Sequence, residues 1–330
     1  MAFKQLYKEV IREYEKDLLS SKKLLENHRR EVYEKSPEIQ RIDETLIGNG
    51  INIAKSMLSG DCDVKKSIEH LRKQTNALQN RKAELLDEAG FPPDYLTDIY
   101  KCKQCKDTGF VEDEKCSCFK QKLLVKYYNL SNLQSIIEDE NFDTFDIRYY
   151  GTQIDPNTGI SPNANIKNIY QNAIDFVRNF DNKFVNLLIY GETGLGKTFL
   201  CNCIAKDLIE RGKTVLYLTA PQIFKKIEEY RFNREDLDDP DNQIEMIYEV
   251  DLLIIDDLGS EFSTVITLTE LFNIVNTRLL QKKHTIFSTN LTLNDLQNSY
   301  TDRIISRFLA YYKMMGYFGD DIRVKKKLSY

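Results

Sequence analysis

The sequence predicts an α/β protein, a parallel sheet with helices around it, preceded by a helical region and a small cysteine-rich module. Three observations predict this. Short β-branched and leucine-rich runs at Val185–Tyr190, Thr214–Leu218, Val250–Ile255 and Thr285–Ser288 alternate with helical stretches, the pattern of a parallel sheet. Before about residue 95, apolar residues recur instead at helical spacing on a charged background. Between the two regions, four cysteines fall within Cys102–Cys118. A chain of 330 residues with 42% hydrophobic content is long enough for one large domain and a smaller one.

In the N-terminal region, Phe3, Leu6, Tyr7, Val10, Ile11, Tyr14, Leu18 and Leu25 lie three, four and seven apart, forming one face of an amphipathic helix that runs to about Glu34. Ser36-Pro37 pairs an N-cap with proline at the first helical position and opens a second helix to about Leu58, before Gly60. A third helix from about Asp63 carries Ile68, Leu71, Leu78 and Leu85 on one face, and Gly90-Phe91-Pro92-Pro93 forbids its continuation. The stripes are expected to pack on one another as a bundle or hairpin. Three helices bury such stripes thinly, so a docking face for a partner is the second expectation.

Further along, Asn129–Asn141 reads as a polar connection, Gly151–Asn163 as a turn-rich loop, and Arg231–Gln243 as an acidic exposed loop or loose helix end. The expected divisions are residues 1–97 (helical), 98–122 (cysteine module), 123–163 (linker) and 164–330 (sheet domain).

A formal net charge of -5 and a pI near 5.5 argue against a protein that coats nucleic acid by overall positive charge, so any such contact is local. Met1-Ala2-Phe3-Lys4-Gln5 leads straight into charged helical sequence, and no run approaches the ~18 apolar residues of a membrane span. The expectation is a cytoplasmic protein without a membrane partner. Of its seven cysteines, Cys62, Cys201 and Cys203 stand outside the cluster, and the odd total fits reduced thiols.

The chemistry concentrates at Gly191, Glu192, Thr193, Gly194, Leu195, Gly196, Lys197 and Thr198, a full match to the phosphate-binding P-loop between an apolar strand and a helix starting near Lys197. Its glycines let backbone N–H groups wrap a phosphate, and the helix N-terminus adds a favourable dipole. Lys197 is expected on the β- and γ-phosphates and the Thr198 hydroxyl on magnesium, with Phe199 completing the ATP-binding stretch. A chance glycine-rich turn is the bland alternative, and the strand-loop-helix context weighs against it.

Val250-Asp251-Leu252-Leu253-Ile254-Ile255-Asp256-Asp257 is an apolar strand ending in two carboxylates. In an open parallel sheet that end faces the ligand. Asp256 is expected to hold magnesium, directly or through water, and Asp257 to orient the attacking water. Thr285-Ile286-Phe287-Ser288-Thr289 ends in Asn290, a polar group able to reach the γ-phosphate or the water, or else a turn asparagine.

These segments in this order, followed by Asp302-Arg303-Ile304-Ile305-Ser306-Arg307, resemble the AAA+ ATPases of the bacterial replicative-helicase loader type (DnaC/DnaI-like). Asn141-Phe142-Asp143-Thr144-Phe145 belongs to the wider match, which covers most of residues 95–330. The resemblance implies that Asn290 is the sensor-1 residue, Arg307 an arginine finger offered to a neighbouring subunit, and Arg323 the sensor-2 arginine. A guanidinium against a γ-phosphate stabilises transition-state charge, and one donated by a neighbour makes hydrolysis depend on assembly. Arg303, on the same helical face as Arg307, competes for the finger role, and either arginine could instead pair with a surface acid such as Asp302. Seven residues follow Arg323, leaving no room for the helical lid that usually carries sensor 2, a truncation shared by such loaders.

Cys102-x2-Cys105-x10-Cys116-x-Cys118 offers four thiolates for tetrahedral zinc, against reduced thiols or an iron-sulfur cluster as alternatives. The resemblance supports zinc, since Gram-positive-type loaders carry such a knuckle between helical region and ATPase. Cys201 and Cys203, just inside the P-loop helix, are expected as core or near-surface thiols. Lys225-Lys226 and Lys325-Lys326-Lys327 are short runs of the kind usually solvated.

The expected function is therefore ATP-dependent loading of a hexameric replicative DNA helicase, gripped through the N-terminal domain, onto single-stranded DNA, with nucleotide-dependent self-assembly. The alternatives are a transposition helper ATPase (IstB-like) and an adaptor that uses ATP as a switch with little turnover.

Overall fold

The computed structural model describes residues 2–59, 64–127, 139–232 and 240–328. Expectations for Gly60, Cys62, the start of the third helix at Asp63, and most of the Asn129–Asn141 and Arg231–Gln243 stretches lie outside these residues. Contacts divide the chain into two units, Ile11–Val111 and Met1–Val10 with Glu112–Tyr330.

The smaller unit is built from three helices, α1 (Ala2–Lys35, shared across the division), α2 (Pro37–Ser59) and α3 (Val64–Glu88). Pro37 occupies the first position of α2, where its missing N–H costs nothing. At the end of α3 the Gly90 N–H donates to Asp87 O and the Phe91 N–H to Leu86 O, with Gly90 at φ +78°. That is the left-handed glycine stop expected at Gly90-Phe91. Val32, Ile39, Ile42, Leu85, Leu86 and Phe91 form its core. Asp43 ties two helices further, accepting from Tyr33 Oη at 2.8 Å and from Lys82 Nζ at 2.5 Å.

The larger unit carries a two-stranded hairpin, β1 (Phe110–Val111, across the division) with β2 (Glu114–Lys115), then helix α4 (Ser117–Tyr127). A single 3-10 turn at Ile147–Tyr149 leads to α5 (Pro162–Arg178), β3 (Asn186–Tyr190), α6 (Lys197–Glu210) and β4 (Val215–Thr219). The chain continues through α7 (Ala220–Phe232), α8 (Pro240–Glu249), β5 (Leu252–Leu258), α9 (Val265–Leu280), β6 (His284–Thr289) and α10 (Leu293–Ser299). It closes with α11 (Asp302–Tyr311), β7 (Tyr312–Gly316) and α12 (Ile322–Leu328). Residues 240–243, expected in a loop or loose helix end, begin α8.

Strands β3 to β7 make one parallel sheet in the order β4-β5-β6-β3-β7. The four expected strands are present with ends shifted by no more than three residues, and β7 is an additional strand. Alternate side chains enter two cores, as a sheet covered on both faces requires. Leu188, Leu216, Leu253, Ile255 and Phe287 meet α7 to α11 on one face, while Leu187, Ile189, Val215, Ile254 and Ile286 meet α5 and α6 on the other. Because β3 pairs with β6 on one side and β7 on the other, its carboxyl end lies at the reversal of strand order, where open parallel sheets bind ligands.

Two polar side chains complete this frame. Gln121 of α4 lies against edge strand β4, donating to Val215 O at 3.0 Å and accepting from Val215 N at 2.8 Å, so one amide does the work of a neighbouring strand. Arg278, fully buried, donates to Ile247 O, Tyr248 O, Val250 O, His284 O and Thr285 Oγ1. It thereby satisfies carbonyls at the C-terminus of α8, which has none of its own partners left to offer them. Burial lowers the Arg278 pKa to about 9, which leaves it charged at neutral pH.

Candidate nucleotide-binding site

The P-loop spans the turn from β3 to α6. Gly191, Gly194 and Gly196 all have positive φ (136°, 78° and 92°), conformations that only glycine adopts cheaply. Gly196 is the N-cap of α6 and makes no side-chain cap, so the first N–H groups of the helix remain for an anion. The loop borders a cavity of ≈ 500 Å³ whose wall includes Thr193–Phe199, Asp257, Asn290 and Arg323.

Lys197 is buried, and its ammonium donates to Gly191 O and Glu192 O at 2.6 Å and to Asn290 Oδ1 at 2.7 Å. Burial lowers its pKa, partly offset by the charges of Asp257 and Asp256. Thr198 Oγ1 donates to Asp256 Oδ2 at 3.0 Å. The same carboxylate accepts from Tyr217 Oη at 2.6 Å, from Ser288 Oγ, and from the Asp257 N–H at 3.1 Å. Asp256 is 3% exposed, so these bonds compensate a charge taken out of water.

Two consecutive strand residues would ordinarily face opposite sides of the sheet. Here the β5-β6 register slips between Ile255 and Leu258, and Asp257 takes φ +54°. This bulge turns Asp257 to the cavity while Asp256 stays beneath it, a common use of bulges beside functional sites. Burial, and then the Asp256 charge, raises the pKa of Asp257 above the usual carboxylate value; its Oδ1 accepts from Asn290 Nδ2 at 3.2 Å.

The segment after β7 closes over the loop. Tyr317 N donates to Tyr190 O at 2.7 Å and Ile322 N to Gly194 O at 2.9 Å. Arg323 Nη2 reaches Thr193 Oγ1 at 3.0 Å. On the other wall are Thr144, Phe145, Asp146, Tyr149 and Tyr150, part of the stretch expected to be linker. Phe145 sits edge-on to Phe199 at 5.6 Å, and Tyr150 Oη donates to Leu195 O at 2.8 Å.

Gly191 to Phe199, Asp256, Asp257, Asn290 and Arg323 thus come together. Arg307 stands apart on α11, outside the cavity wall. Its Nε and Nη2 donate to Asn276 Oδ1 at 3.2 and 2.8 Å, and its guanidinium lies 4.4 Å from the Phe272 ring centre. Arg303 forms no side-chain hydrogen bond or ion pair with another described residue. Sequence reasoning missed Tyr217 and Ser288 around Asp256, and Tyr149 and Tyr150 in the wall. Tyr149, Tyr150 and Tyr217 belong to no motif, Ser288 lies inside the strand segment that ends in Asn290 without a role of its own there, and only the strand register could have flagged Tyr217 and Ser288.

The thiols of Cys102, Cys105, Cys116 and Cys118 lie within 4.8 Å of one another. None is in a disulfide. Asp107 orders the first turn by accepting from the Lys101 and Cys102 N–H groups at 2.8 and 2.7 Å. Four converging sulfurs fit a tetrahedral zinc ion. Cys201 and Cys203 are fully buried in α6.

With this geometry in hand, likeness to known proteins is informative. The profile of the bacterial DnaA ATPase domain matches residues 160–313. The chain is 34% identical over 136 residues to the chromosomal replication initiator protein DnaA of Mesoplasma florum, a match covering 41% of this chain and 30% of that protein. It is 25% identical over 138 residues to the replicative helicase loader DnaI of Bacillus subtilis, covering 40% of this chain and 42% of that one. Among solved structures, one of the DnaC helicase loader aligns with 19% identity and a TM-score of 0.45 over 55% of this chain and 98% of that one. The curated matches span less than half of either relative. Among the described residues, no helix is long and apolar enough to cross a membrane.

Proposed function

We propose that this chain is an AAA+ ATPase of the DnaC/DnaI type that hydrolyses ATP and uses its nucleotide state to load a hexameric replicative DNA helicase onto single-stranded DNA. The observation that carries the nucleotide part is the Lys197-Asn290-Asp257 chain of hydrogen bonds along one wall of the P-loop cavity. The loader part is supported by likeness to the replicative helicase loader DnaI and by the cysteine quartet, which agrees with the resemblance read from the sequence.

Magnesium fits the Thr198 hydroxyl and the Asp256 carboxylate, 3.0 Å apart at the foot of the P-loop. A bound magnesium-ATP brings the phosphoryl group and a cation that neutralises charge developing on it. The chain's own contribution is positioning and charge. Backbone N–H groups of the P-loop hold phosphate, Lys197 turns from its loop carbonyls to phosphate oxygens, and Asp257 takes a proton from a water that Asn290 orients. Arg323 reaches the terminal phosphate from the same chain. Arg307, outside the cavity and steadied by a neutral amide that leaves its charge uncancelled, is suited to serve a neighbouring subunit's site. Zinc on the four cysteines would order the turns that carry them, with no open position for catalysis.

Mixing the purified chain with its cognate hexameric helicase under ATP, ADP and no nucleotide tests the proposal. A complex whose yield depends on nucleotide is expected, and absence of a complex under every condition sinks it. A DnaA-like initiator role is the second reading, favoured by the DnaA domain match. It predicts assembly on double-stranded origin DNA without helicase.

A further inference from the structure

A phosphate-binding loop is a place for anions, yet this one already has a carboxylate resting on it. Asp321 packs so closely over Gly194 that a Cβ there would lie 2.2 Å from the carboxylate carbon. The acid is locked in place from three directions. Its Oδ1 accepts from the Arg323 N–H at 2.8 Å, its Oδ2 pairs with Arg323 Nη2 at 3.1 Å, and the next residue, Ile322, donates its N–H to Gly194 O at 2.9 Å. The Arg323 hydrogen bond holds the Asp321 carboxyl below the usual carboxylate range, so it stays ionised. Arg323, with 66% of its side chain exposed, is free to turn once something competes for it.

We propose that Asp321 is a positioning residue that stands in for the terminal phosphate of ATP. It keeps Arg323 against the P-loop and releases the guanidinium when a nucleoside triphosphate arrives, and so sets how strongly ATP is preferred over ADP. This rests on the nucleotide-binding reading above. The α- and β-phosphates are common to both nucleotides, so only the terminal phosphate contends with Asp321 for Arg323. Because Asp321 and Ile322 are tied to Gly194, the exchange is felt by the segment from Tyr317 to Arg323 as well as by the side chain.

Calorimetric titration of the full chain with magnesium-ATP and with magnesium-ADP tests this. Asp321→Asn, nearly the same shape without the charge, is expected to tighten ATP about three- to fivefold, the range of an exposed ion pair, and ADP less than twofold. Asp321→Ser, which keeps an acceptor for the Arg323 N–H, should give the same direction should the asparagine variant fold poorly. In the Arg323→Gln background the effect of Asp321→Asn should vanish, since a stand-in has nothing left to hold. A purely structural role would move both nucleotides together. Equal changes for ATP and ADP, weaker ATP binding, or persistence of the effect without Arg323 overturns the proposal while leaving nucleotide binding intact. A wild-type chain that binds neither nucleotide overturns both.

Discussion

Asn290 joins Lys197 to Asp257, accepting from the lysine ammonium at 2.7 Å and donating to the carboxylate at 3.2 Å. One amide therefore spans the group expected on the phosphates and the group expected on the water. Asn290→Ala should lower kcat for ATP about 10²-fold, the usual loss when one preorganised polar group is removed, with ATP affinity changed only a few-fold. Steady-state hydrolysis beside equilibrium titration reads the two effects, and equal loss in both would assign Asn290 to ground-state binding.

Asp257→Asn should retain ATP binding and lose about 10²- to 10⁴-fold in hydrolysis. The wild-type pH profile is informative too. Asp257 must be ionised to take a proton, and burial together with Asp256 raises its pKa. Activity should thus fall on acidification at a higher pH than an ordinary carboxylate would give, provided the fold persists by circular dichroism at the same pH. An acid limb at the ordinary carboxylate value refutes the assignment.

Arg278→Met replaces a buried cation with an apolar chain of similar length and strands the carbonyls of Ile247, Tyr248, Val250 and His284. A loss of about 3–5 kcal/mol is expected from unpairing groups at this depth. The urea midpoint measures it, and a shift worth under about 1 kcal/mol would show that water reaches those carbonyls.

Elemental analysis of protein prepared under reducing conditions should find one zinc per chain. Cys105→Ser should remove it and lower thermal stability while leaving ATP affinity unchanged, because the quartet is not part of the P-loop wall. Metal-free wild-type protein of undiminished stability would end the zinc assignment.

What could be read in the sequence was what side-chain type and spacing encode. The P-loop, the apolar strand before Asp256 and Asp257, the stop at Gly90 and the cysteine quartet each put their chemistry in consecutive or regularly spaced residues. Strand β7 escaped because Tyr312-Lys313-Met314-Met315-Gly316 is neither β-branched nor alternating; its pairing with β3 makes it a strand. The clamp of Tyr217 and Ser288 on Asp256 escaped because it depends on which rungs of β4 and β6 flank β5, and no local pattern states strand order. The slip at Asp257 was invisible for the same reason. The wall from Thr144 to Tyr150 looked like linker because its turn residues and aromatics acquire a role only beside Phe199 and Leu195.

The placing of β3 between β6 and β7 has a consequence for synthesis. During translation the P-loop emerges long before either strand that will flank it, and it gains Asn290 only with the end of β6 and Arg323 only after β7. A nascent chain halted between Thr219 and Lys283 thus holds the glycines and Lys197 without the neighbours that shape them. Nucleotide capture should begin abruptly, as ribosome-bound chains lengthen past the last strand, and not gradually from the loop's first appearance.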